Sequence, residues 1–341
     1  MPGPPDRPGD IGLSRGIPHQ GVTTVSTMSD TMVNEAGAEA SAANELEDEA
    51  AARATAEAVA DAGHRVPTRR ISFDESLAEL PKHFVAEGDL IMSHVMASLS
   101  SVFPDGEDFF VRSVRHYRDQ ITDPVLKREV SGFIGQEAIH GREHRALNDR
   151  FAALGYPTKK LERFTKRGLE FRSRVAPPIS NLAATAALEH FTATLAELLL
   201  DKEECRAVLG DSAVLDVMLW HALEEAEHKA VAFDVFRAAG GSERLRIYTM
   251  RFTRYGFIVG MTLQTIATIA FDPAVREKGV LRRSLKRLNQ SPFANREVWQ
   301  MLKAYERRGF HPNDRDTSAL VAEWREKLFG AEGSLNDRLA G

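Results

Sequence analysis

The chain has 341 residues, 43% of them hydrophobic and 27% charged, with a formal net charge of −5, which is ordinary for a globular protein able to bury a sizeable core. A balance this close to neutral, only mildly basic toward the chain's end, gives no footing for nucleic-acid binding. The lone Cys205 excludes an internal disulfide and fits a reducing cytoplasm, and no charged n-region followed by an apolar core opens the chain, so a cytoplasmic location without a cleaved secretion signal is expected.

Residues 1–66 stand apart. They hold no Phe, Tyr or Trp, five prolines and 11 acidic against 4 basic residues, for a net of −7, so they read as a disordered acidic Ala/Pro-rich tail that cannot build a core. Within it, Glu45 to Ala62 has helix-forming composition but no apolar stripe with which to dock. About +2 is left for residues 67–341. From Arg69 onward apolar residues recur at three- and four-residue spacing with no run of alternation, so the fold class is all-α.

A first helix is predicted from about Gly88 to Val102, stopped by Phe103-Pro-Asp-Gly106, with Asp105 placed to cap the next. That next helix, near 106–121, carries Glu107. Asp123-Pro124 supplies a cap and a proline for the first turn of a helix of about 30 residues, which passes through Glu137, His140 and His144 to a stop at Gly155. A looser amphipathic segment at 158–172 and the breaker Pro177-Pro178 cross from one end of a bundle to the other. A third bundle helix, about 179–204, holds Glu189. Asp211-Ser212 opens the fourth, which runs through His221, Glu224, Glu225 and His228 to Gly240-Gly241.

Glu137-Ala-Ile-His140 and Glu225-Ala-Glu-His228 are two Glu-x-x-His pairs, and residues three apart share a helix face, so each pair can reach one metal ion. With 49 acidic residues in 341, such pairs also arise by chance, about one time in seven per histidine. The setting is more specific. Glu107 lies 30 residues before Glu137 and Glu189 lies 36 before Glu225, gaps that fit two antiparallel helices and a short turn at a rise of about 1.5 Å per residue. Glu189 is moreover the sole formal charge between Pro178 and Leu195, where an unpaired carboxylate is costly. Glu107, Glu137, His140, Glu189, Glu225 and His228 are therefore the expected ligands of a dinuclear centre in a four-helix bundle. Asp108 and Glu224 remain alternatives to Glu107 and Glu225. The mix of carboxylate and imidazole suits iron, or manganese, better than thiolate-loving ions.

His144 and His221 fall one turn from the two motifs and, if their helices run antiparallel, project inward at the same end of the site. They are candidates for the substrate or proton route or for holding a further ion, and Glu224 joins them as a candidate for the chemistry. On the third helix Thr192, Ala193 and Ala196 are small and leave room for a cavity, while His190 points away from Glu189 as a supporting or packing residue.

The run Phe133-Ile-Gly-Gln-Glu-Ala-Ile-His-Gly-Arg-Glu-His144 with Asn148, the run Glu189-His-Phe-Thr-Ala193, the run Trp220-His-Ala-Leu-Glu-Glu-Ala-Glu-His-Lys229 and Phe310-His-Pro312 resemble a bacterial family labelled predicted metal-dependent hydrolases, over about residues 68–330. The resemblance implies a ferritin-like helical protein with a dinuclear centre, sharing the order Glu, Glu-x-x-His, Glu, Glu-x-x-His with the wider di-metal carboxylate superfamily. Glu107 falls in its Phe-Pro-x-Gly-Glu element. The carboxylate-rich set leads to an O₂-activating oxidase or oxygenase acting on a small organic substrate, fed by an electron-donor protein. The alternatives are a hydrolase using a metal-activated water and a storage bundle without catalysis.

Residues 67–241 are thus expected to form the bundle and 242–341 a helical extension packed on it. In that extension Tyr255 to Phe271 is 17 uncharged residues, short of a membrane span, and Arg276 to Arg287 carries six basic residues against one acidic. A helix over 243–272 is commonly buried on the bundle or in a homodimer interface. Next to a basic segment it is also suited to peripheral contact with an anionic membrane surface.

Overall fold

The computed structural model describes residues 66–340, and the expectations for the acidic tail, including Glu45 to Ala62, fall outside them. Among the described residues the regular elements are helices, with one isolated bridge between Ile71 and Leu339. In chain order the longer ones are α1 (Leu90–Ser100), α2 (Phe103–Arg115), α3 (Pro124–Ala153), α4 (Thr158–Val175), α5 (Pro178–Asp201), α6 (Glu203–Leu209), α7 (Ala213–His228), α8 (Val231–Ala238), α9 (Glu243–Ile269), α10 (Val280–Asn289), α11 (Arg296–Ala304) and α12 (Ser318–Phe329).

Local chemistry sets several of these boundaries. The Asp89 carboxylate accepts from Met92 N at 3.0 Å and opens α1; Asp123 accepts from Val125 N at 2.8 Å, with Pro124 beginning α3. Two expectations need correction. Phe103-Pro104 starts α2 instead of separating it from α1, because a proline in the first turn lacks only an N–H that has no helical partner, and Asp105 lies inside that turn, not at the cap. The fourth bundle helix is not continuous to Gly240: it breaks at Lys229–Ala230 into α7 and α8, and the Lys229 ammonium turns out to Arg315 O and Thr317 Oγ1. No glycine or proline marks this break.

The core is built by α2 on α3, α5 on α7, and α8 against both α3 and α5. One apolar cluster fills it, with Phe109, Phe133, Phe151, Leu182, Trp220 and Phe236 among its fully buried members. Helices α3 and α7 run antiparallel, since Gln136 meets His228 and His144 meets His221. The segment before the bundle crosses α3 at Gly132 and Gly135, where a Cβ would lie 2.2 Å from Val66 O and 2.1 Å from Thr68 Oγ1. Only glycine permits that approach, and it delivers Arg69 to the bundle interior. The same segment pairs with the chain's end through Ser72 N to Arg338 O and Ala340 N to Arg70 O.

Helix α9 covers α5 and α1, and α10 covers α1 beyond it. The 17-residue uncharged stretch is therefore half covered: Thr265, Thr268 and Ile269 are buried, whereas its outer side faces away from the chain. No helix among the described residues is long and apolar enough to cross a membrane.

Candidate metal centre

Four helices bring the six expected ligands together. Glu107 comes from α2, Glu137 and His140 from the middle of α3, Glu189 from the middle of α5, and Glu225 and His228 from the last turn of α7, all buried. His228 Nε2 lies 3.1 Å from Glu137 Oε1, 3.3 Å from Glu189 Oε2 and 3.5 Å from Glu225 Oε2. His140 Nδ1 lies 3.9 Å from Glu137 Oε1 and 4.0 Å from Glu225 Oε1. Two triads result, Glu107/Glu137/His140 and Glu137/Glu189/His228, each with donor atoms within 4.8 Å of one another. They share Glu137, an arrangement compatible with a dinuclear site.

Most of the atoms facing this space lack hydrogen bonds, those of Glu225 excepted. Both carboxylate oxygens of Glu107, Glu137 and Glu189 have none, nor do His140 Nδ1 and His228 Nε2. Buried polar atoms are rarely left so; despite its burial, His228 is raised well above its ordinary value by the neighbouring carboxylates, and one imidazolium among four clustered carboxylates leaves them under-compensated. The titration behaviour states the same frustration. Burial, and then repulsion from Glu137 and Glu225, pushes Glu107 well above the usual carboxylate range. Burial followed by Glu225 and Glu137 does the same to Glu189, and burial raises Glu137. Four carboxylates with two neutral imidazoles balance two divalent cations, so the donor set fits a metal pair on charge as well as on ligand type. At Gly141 a Cβ would come within 3.3 Å of Glu107 Oε2, so the helix stays bare where that carboxylate turns inward.

The far nitrogens of His140 and His228 are held by a matched pair of contacts. His140 Nε2 lies 3.1 Å from Glu224 Oε2, and His228 Nδ1 lies 2.8 Å from Gln136 Oε1. Gln136 and Glu224 each stand one residue before the glutamate of a motif, and each braces the histidine of the other. Glu224 is thus not a substitute for Glu225: its carboxylate faces away from the cage, onto His140 and onto Arg69 Nη1 at 2.9 Å. Arg69 also forks onto Glu227 at 2.6 and 2.8 Å, and Glu227 in turn accepts from Gln136 Nε2 at 2.8 Å. Arg69, Gln136 and Glu227 were not singled out by the sequence reasoning. For Gln136 the signal was present, as the position that both motifs place next to a ligand. Asp108 stands outside the cage: it is exposed and meets Arg145 at 3.4 Å.

His144 and His221 meet at the end of the cage nearest Glu107. His221 Nε2 lies 2.8 Å from Glu225 Oε1 and 3.9 Å from Glu107 Oε1. Its Nδ1 lies 2.7 Å from His144 Nε2, whose Nδ1 reaches Ser100 Oγ at 2.9 Å. Phe103 packs on both rings, with centroids 4.5 and 4.8 Å away. Burial, with the neighbouring His221, keeps His144 well below its ordinary value and therefore neutral. His221 is close enough to His140 and Glu225 to add a donor to the cage.

A cavity of about 280 Å³ begins at this point. His221, Glu225 and Thr192 form its polar end, and apart from Ser291 the rest is apolar, including Met96, Leu199, Met218 and Phe293. Thr192 Oγ1 donates to Glu225 Oε2. Thr192 and Ala196 line the space, while Ala193 does not. His190 turns away from the cage to Met301 O at 3.0 Å and packs on Tyr305 and Phe310. A second His/Asp group, His83, His94 and Asp272, is a closed ion-pair hub: one Asp272 oxygen takes Lys82 at 2.9 Å together with both imidazoles.

An all-helical frame around a buried carboxylate and histidine cage defines a metal-binding protein. The chain belongs to the family described as predicted metal-dependent hydrolase, whose model matches residues 67–316. No curated protein and no solved structure matches it. The family description concerns hydrolysis, the second chemistry drawn from the sequence, and lends no support to the oxidative one.

Proposed function

We propose that the protein is a dinuclear metal hydrolase that cleaves an ester or amide with an apolar body. The observation that carries this reading is a cage of unpaired carboxylate and imidazole donors opening, through His221 and Glu225, onto an apolar cavity. When bound there, a pair of divalent ions supplies Lewis acidity and makes coordinated water nucleophilic near neutral pH. The protein's own groups do the rest. The methionine- and leucine-lined walls hold the apolar part of the substrate and exclude bulk water, which leaves the scissile carbonyl at the polar end. His221 is the one imidazole shared by cage and cavity and is the proton acceptor. Glu225 Oε1, 2.8 Å away, accepts the Nε2–H, so the nitrogen free to take a proton is Nδ1, which faces His144 Nε2 in a chain that ends on Ser100. Glu224 and Gln136 fix the orientation of the ligand histidines.

A second reading, an O₂-activating iron or manganese enzyme, is favoured by one feature: four of six donors are carboxylates, hard ligands suited to those ions. The experiment that separates the two loads the protein anaerobically with Mn(II), Zn(II) or Fe(II) and supplies nitrophenyl esters of increasing acyl length. Hydrolysis without oxygen that improves with chain length supports the proposal. Turnover confined to the Fe(II) protein in air, with a transient absorbance, would replace it with the oxidative reading.

A further inference from the structure

We propose that the outer face of α9 and the basic helix α10 seat the protein on the surface of a membrane containing anionic phospholipid. Along α9, Tyr248, Phe252, Tyr255, Val259, Leu263 and Ile266 are exposed. Their spacing of four, three, four, four and three places them on one stripe, which extends about 27 Å at 1.5 Å per residue. Single exposed apolar side chains are normal on a soluble protein, but a continuous stripe of this length marks a surface that something else covers. Phe271, at the corner where α9 ends, is 87% exposed.

The neighbouring charge identifies the occupant. Arg276, Lys278, Arg282, Arg283 and Lys286 are exposed, and none of them pairs with a carboxylate among the described residues; Glu277 is the one acid in their midst. Leu281 and Leu285 are exposed among these cations. An amphipathic surface that joins cations to bare aromatic and aliphatic side chains matches an anionic lipid interface, where the apolar face enters the headgroup boundary and the cations meet phosphate. Trp299, partly exposed beside Tyr255 at 5.9 Å, adds the amphipathic rings that settle at such a boundary. Helix α9 is not apolar enough along its length to cross a membrane, so it is placed along the surface. A second copy of the chain would bring the same five cations and leave them uncompensated.

The arrangement bears on substrate supply. Leu288 from the end of α10, with Ser291, Phe293 and Ala294 after it, walls the apolar cavity, so a membrane-borne apolar substrate would meet the protein beside its binding site. This link rests on the function proposed above. Membrane seating does not: a chain that binds vesicles without cleaving esters keeps this inference and loses the earlier one.

The test is flotation of the full chain with phosphatidylcholine vesicles, and with the same vesicles containing phosphatidylglycerol. Binding to the anionic vesicles is expected to be at least about tenfold stronger and to weaken with salt. Each cation contributes roughly fivefold, so the triple variant R282Q/R283Q/K286Q is expected to lose about a hundredfold, and L263E/I266E nearly all binding. Both sets lie on exposed positions, and an unchanged circular dichroism spectrum confirms their fold. Equal partitioning to both vesicle types, no partitioning, or a dimer by light scattering that L263E/I266E dissociates and that ignores vesicles would overturn the proposal.

Discussion

Replacing Glu224 by alanine isolates the brace on one ligand histidine. Its carboxyl group holds His140 Nε2 at 3.1 Å and so turns Nδ1 to face the cage. Loss of such an outer contact typically costs 10- to 100-fold in metal affinity, or about 1.4–2.7 kcal/mol. The fold is expected to survive, because Arg69 keeps its fork on Glu227, so no buried charge is stranded. Burial pushes the Glu224 carboxyl from its ordinary 4.5 up to about 8. A raised carboxyl stabilises the fold only while protonated in both states, so its contribution is lost as pH rises from about 4.5 through about 8. Metal-free wild type should therefore lose stability across that window relative to E224A. The assay is competition of Mn(II) against a calibrated chelator, with thermal unfolding alongside. One ion weakened and the other retained is the expected result. A variant that is folded and binds both ions like the wild type would refute the brace.

Gln136→Ala should weaken the other ion, and because Glu227 and Arg69 link Gln136 to Glu224, the double variant with E224A should depart from additivity by about 0.5–3 kcal/mol; titration of the double variant checks this. Burial, with their neighbours' charge, raises Glu107 and Glu189, so metal uptake must displace protons and affinity should fall as pH is lowered; calorimetry in buffers of different ionisation heat measures the protons released. His221→Ala should lower turnover by about 10²–10⁴-fold while retaining both ions by elemental analysis, and loss of metal would make it a ligand instead. Met218→Trp narrows the cavity beside His221 and should raise KM for long acyl chains more than for short ones, with metal content unchanged.

The helical class and the six cage residues were legible because each rests on local periodicity: three-residue spacing within a motif, and a lone glutamate in an apolar run such as Leu182 to Leu195. The orientation of α3 against α7 also followed, from an even number of bundle crossings. What stayed hidden depends on pairing between distant segments. Arg69 belongs to no helical pattern and reaches Glu224 only because Gly132 and Gly135 let the strap lie on α3. The break at Lys229 carries no breaker residue, so only its packing reveals it. Pro104 misled for a physical reason, since proline both stops one helix and fits the first turn of the next. The half-covered state of α9 could not be read from hydropathy, which measures an average over the helix and not a face.

The most direct test of the account is anomalous diffraction from crystals of the Mn(II)-loaded protein, recorded at the manganese edge. Two peaks about 3.5–4 Å apart, lying between Glu107, Glu137, His140, Glu189, Glu225 and His228, are the predicted result. A map with no anomalous density in that cage, and with manganese only at surface carboxylates, would contradict it.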